Sequence, residues 1–122
     1  MDKLNISTFP GCVEKTLEYI KTALKALHVS AADSEALLGS AGEIISAICA
    51  ADANGSVIVS AEKSAKGCCV QFMHLGALFN PSPRLRTALR KNAWTKFHLN
   101  SNTAETFCPF LEEQTPTKIF KR

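Results

Sequence analysis

The sequence predicts a two-layer α/β (α+β) sandwich, a mixed and mainly antiparallel five-stranded sheet with three helices on one face. Three observations predict it. Two long segments repeat apolar residues at spacings of three and four. Two β-branched or apolar runs flank a Lys/Ser/Gly turn. With 122 residues, 46% of them apolar, the chain can bury one core but not two, so residues 1–122 are expected to form a single domain.

Leu4, Ile6 and Thr8 alternate with Asn5 and Ser7 at the period of a half-buried strand, which Pro10-Gly11 ends. Cys12, Leu17, Ile20, Leu24 and Leu27 then mark the apolar stripe of an amphipathic helix stopping near His28. Ser30 and Asp33 form a capping box with Asp in place of Glu, and the second helix carries Leu37, Ala41, Ile44, Ile45 and Ile48 as far as Ala51. Gly39 and Gly42 inside it each cost about 1 kcal/mol against Ala, which points to close packing or a notch. Asp52-Ala53-Asn54-Gly55 is a turn. Ser56–Ala61 and Cys68–His74 follow as the two strands of a hairpin.

Beyond Pro81 and Pro83, Leu85, Ala88, Leu89 and Trp94 define one side of a third helix, with Arg84, Arg86, Arg90 and Lys91 on the other. Asn100-Ser101-Asn102 is a stop signal, after which Thr106–Leu111 and Thr117–Phe120 are the expected last strands. Pro109 argues for an edge strand or a bulge.

The five cysteines show no C-x-x-C spacing, and adjacent Cys68 and Cys69 would point to opposite faces of a strand. They are expected to be reduced, small, apolar side chains rather than metal ligands, in keeping with a cytoplasmic protein. Met1-Asp2-Lys3-Leu4 does not read as a signal peptide, and no apolar run is expected to span a bilayer. The net charge of +3 divides into −2 over residues 1–81 and +5 over residues 82–122. Nucleic-acid binding by that basic part is a minor expectation, since no recognition signature accompanies the charge.

Two boxes carry a resemblance. Glu43-Ile44-Ile45-Ser46-Ala47 lies near the end of the second helix, and His74-Leu75-Gly76-Ala77-Leu78-Phe79-Asn80-Pro81 follows the hairpin. With the element order, they resemble the anti-sigma-factor serine kinases of the histidine-kinase-like ATPase superfamily. Those proteins carry E-x-x-x-N on the second helix and D-x-G-x-P-F-[DN]-P after the hairpin. The similarity spans most of the chain but is strong only in these boxes.

The resemblance assigns a role to each position. Glu43 stands where the family has its catalytic base, one helical turn from Ala47, where the family has the Asn that holds Mg²⁺. Ala47 has no ligand atom. His74 stands where an Asp reads the adenine amino group, and Gly76 where the motif has its glycine. A neutral imidazole in place of that Asp gives up about 1–2 kcal/mol of charge assistance. After Gly76 the chain has no glycine, so a glycine-rich phosphate lid is not expected. The bland alternatives are a solvated Glu43, a core His74 satisfied by a backbone carbonyl, and a Gly76 serving only its turn.

The resemblance therefore implies a degenerate member. Its vestigial nucleotide pocket would be marked by His74, Gly76 and Ala47, with no cofactor expected. The implied function is regulatory protein binding in bacterial transcription, with a sigma factor or an anti-sigma antagonist as partner. Arg84, Arg86, Arg90 and Trp94 are the expected contact residues, and a homodimer is open. The alternative is an active serine/threonine protein kinase that binds ATP and magnesium and uses Glu43 as its base.

Overall fold

The computed structural model describes residues 3–9, 11–52, 54–76, 94–98 and 101–109. They form strand β1 (Leu4–Ser7), helices α1 (Cys12–Ala26) and α2 (Ala31–Ala51), and strands β2 (Ser56–Lys63), β3 (Gly67–Leu75), β4 (Trp94–His98) and β5 (Thr103–Pro109). The five strands make one sheet in the order β1-β2-β3-β5-β4. Every pairing is antiparallel, which corrects the expected mixed sheet.

The ends of α1 follow from backbone chemistry. Gly11 caps it with φ +94°, a left-handed conformation that glycine adopts without a Cβ penalty. At the other end His28 takes the left-handed position, at φ 59°. There the Val29 N–H donates to the Leu24 carbonyl and the His28 N–H to the Lys25 carbonyl, each at 3.0 Å. This is a Schellman closure built on His instead of Gly. Helix α2 opens as its sequence predicts, with Ser30 Oγ accepting from the Asp33 N–H at 3.2 Å.

Strand alternation builds the core. In β3, Cys68, Val70, Phe72 and His74 are buried, while Gln71, Met73 and Leu75 are not. Val59 lies opposite Phe72, and Phe72 opposite Ala104, so the row continues from β2 into β5. Ile20, Ala23 and Leu24 of α1 and Leu37, Ile44 and Ile48 of α2 close over it. Among the described residues α2 alone is long and apolar enough to cross a membrane, contrary to the expectation that no run reaches that length. Its apolar face is packed in the core, a use of apolarity that length and composition do not distinguish from a span.

The second half departs from expectation. The third helix lies outside the described residues except at Trp94, which opens strand β4. Leu89 and Trp94 are five residues apart and break the helical period, whereas Trp94-Thr95-Lys96-Phe97-His98 is an aromatic and β-branched run. Asn100-Ser101-Asn102 separates two paired strands, and β5 begins at Thr103 rather than Thr106. Strand β5 is internal, between β3 and β4, and tolerates Pro109 because that proline is its last residue. The strand expected over Thr117–Phe120 lies outside the described residues.

The cysteines also divide differently. Cys12 and Cys49 are disulfide-bonded across 37 positions, which corrects the expectation of five thiols. Cys68, Cys69 and Cys108 are free, with Cys68 buried beneath the helices and Cys69 half-buried on the opposite sheet face.

Candidate functional site

The candidate site lies where α2 runs into β2 and the end of β3 returns beside it. Asp52 caps α2, its N–H donating to the Ile48 carbonyl at 3.0 Å. Its Oδ1 accepts from the Asn54 N–H at 3.1 Å, the local Asx turn that its sequence predicts. Its Oδ2 lies 3.1 Å from His74 Nε2. The His74 side chain is 2% exposed and that of Asp52 17%.

Backbone contacts hold this pair from several elements. The His74 N–H donates to the Asn102 carbonyl, and Asn102 Nδ2 returns a bond to the His74 carbonyl, both at 3.0 Å. Thr8 Oγ1 donates to the Gly55 carbonyl at 3.0 Å and accepts from the Gly55 N–H at 2.9 Å. The two glycines are required by space. A Cβ on Gly55 would come 2.6 Å from Asp52 Oδ2 and 3.1 Å from His74 Nε2, and one on Gly76 would collide with the same carboxylate oxygen. His74 is thus a buried residue whose Nε2 pairs with a carboxylate, where the bland alternative had a backbone carbonyl.

Chemically, Nε2 is the ring nitrogen committed to the carboxylate, which accepts from an N–H there. His74 Nδ1 is buried and has no hydrogen-bond partner. An orienting Asp behind a His is the arrangement of a general base, but such a base must reach the proton it removes. At 2% exposure the ring does not meet solvent-borne substrate.

Glu43 and Ala47 lie elsewhere. With Gly39, Gly42 and Ser46 they face a groove of about 510 Å³ that Val13 and Leu17 of α1 complete. The i, i+4 spacing does place Glu43 and Ala47 on one side of α2, and Gly42 provides the expected notch, with Leu17 Cδ2 3.7 Å from where its Cβ would stand. The structure thus places Glu43 and Ala47 together in the groove and His74 and Gly76 together beside Asp52, as two separate pairs. Arg84, Arg86 and Arg90 lie outside the described residues, and Trp94 stands in β4 opposite Phe107.

Among the described residues no three His, Cys, Asp or Glu side chains are placed to hold a metal ion. Asp52 is the residue that sequence reading missed. Its Asx turn was legible, but its second oxygen is committed 22 positions away, and no local pattern marks that contact. No protein-family model matches the chain, and no curated protein matches it significantly.

Proposed function

We propose that this chain is a regulatory protein-binding module of the anti-sigma-factor kind, on a histidine-kinase-like ATPase frame that no longer serves a nucleotide. The observation that carries the reading is the internal engagement of His74. At the position where the resembled family reads adenine, the imidazole is 2% exposed and its Nε2 is already paired with Asp52. Nucleotide would have to break that pair and enter a space crowded by Gly55 and Gly76. Ala47 offers no oxygen to a metal ion.

The α1–α2 groove supports contact with a macromolecule, since its floor is built from small residues against Val13 and Leu17. A sigma factor or an antagonist domain is the partner class the resemblance supplies, and this step rests on analogy of fold. Isothermal titration with Mg²⁺-ATP tests the reading. The expected result is no binding tighter than about 100 µM, equivalent to about −5.5 kcal/mol. Tighter binding, with turnover abolished in Glu43→Ala, would establish the alternative serine kinase instead. Affinity capture from the native cytoplasm at low salt is expected to recover a regulatory protein.

A further inference from the structure

Five cysteines fall into two chemical classes. Burial pushes the thiols of Cys68 up to about 11 and of Cys69 and Cys108 up to about 12, and nearby carboxylates add to the latter two. These three are poor nucleophiles at neutral pH. Cys12 and Cys49 are differently placed. Cys12 is the first residue of α1 and is buried against the cavity wall. Cys49 is half-buried on the last turn of α2. Both line an open cavity of about 310 Å³ with Phe9 and Gly11; Cys12 is only 1% exposed, so the half-buried Cys49 is the one of the pair that a small reagent meets first.

The chain neighbours of these cysteines extend the geometry. Val13 and Ala50 line this cavity and also the α1–α2 groove that holds Glu43. The bond therefore ties together the two helix ends from which one end of the groove is built.

We propose that Cys12 and Cys49 form a reversible thiol–disulfide site, oxidised by a low-molecular-weight disulfide such as glutathione disulfide, which fastens α1 to α2 along the wall of the groove. Cys49, the more open of the two, makes the first exchange. Its thiolate attacks one sulfur of glutathione disulfide, forming a mixed disulfide and releasing one glutathione thiolate. The Cys12 thiolate then attacks the Cys49 sulfur and expels the second glutathione. The two cysteines lose two protons and two electrons, and one glutathione disulfide becomes two glutathiones. Excess glutathione reverses both steps.

The test uses the full chain equilibrated in glutathione buffers from wholly reduced to wholly oxidised, quenched with acid and mapped by alkylation and peptide mass. Cys12 and Cys49 are expected to pass together from alkylated to bonded, while Cys68, Cys69 and Cys108 stay thiols throughout. In Cys12→Ser the mixed disulfide is expected to accumulate on Cys49. Amide exchange over residues 12–17 and 46–51 of the unmodified protein is expected to be about tenfold faster when reduced. Three results would overturn the proposal: no bond at any glutathione ratio, a bond that resists excess dithiol in the native protein, or equal exchange in the two states. The wild-type titration and exchange decide the matter even if Cys12→Ser does not fold.

Discussion

His74 shows how one contact fixes a residue's meaning. Its burial alone would be costly, since an imidazole carries two polar nitrogens, and Asp52 satisfies one of them. Removing Asp52 leaves both without a partner. Asp52→Ala is therefore expected to cost about 1–3 kcal/mol in urea denaturation. A double-mutant cycle with His74→Ala is expected to return a coupling energy well above zero, whereas an additive result would refute the pair. The free thiols give a second residue-scale prediction. Cys68 and Cys108 are held protonated to about 11 and about 12, against an ordinary value of 9.0. Because the folded values are raised, the stabilisation is complete below pH 9 and is lost as pH rises towards them. Each fully buried thiol is expected to lower stability progressively across that window, because the unfolded chain releases its proton first. Denaturation midpoints measured from pH 8 to 10.5 are expected to fall, and less steeply in Cys108→Ala.

Helix α2 holds the two readings of a small residue side by side. Gly42 has an ordinary helical backbone, and a Cβ there would meet Leu17 Cδ2 at 3.7 Å, a normal van der Waals contact. Gly42→Ala is therefore expected to raise stability by about 0.5–1 kcal/mol through helix propensity, read as an increase in Tm. A decrease would mean that the notch is tighter than its geometry. At the strand level, Pro109 and Trp94 are explained by position. A proline at the last residue of internal β5 removes no interior ladder bond, and Trp94 opens β4 in register with Phe107.

At the scale of the whole molecule, the described residues form one antiparallel sheet with two helices closed over a single face, so their stability is concentrated in the row where both layers meet. Phe72 stands at the centre of that row, fully buried between Val59 and Ala104. Phe72→Ala is expected to cost about 3–5 kcal/mol in denaturant titration, and a loss below 1 kcal/mol would mean that the core lies elsewhere. The amino-terminal elements were legible because each announces itself within a few residues: the alternation of Leu4 to Thr8, the stripes of α1 and α2, and the turn before Gly67. The second half was less so. Leu85 to Trp94 invites a helical period that fails at its last step, and the strand from Trp94 to His98 identifies itself only when paired with β5. Of the candidate site, His74 and the turn at Asp52 were legible separately, but not their pairing across 22 positions. By itself the sequence determined the layered α/β class and the first five elements, since periodicity and residue chemistry are local properties. Tertiary structure alone decided that His74 belongs to Asp52, that Cys12 is bonded to Cys49, and that Glu43 faces a groove against α1, because each joins residues whose separation along the chain carries no signal of their distance in space.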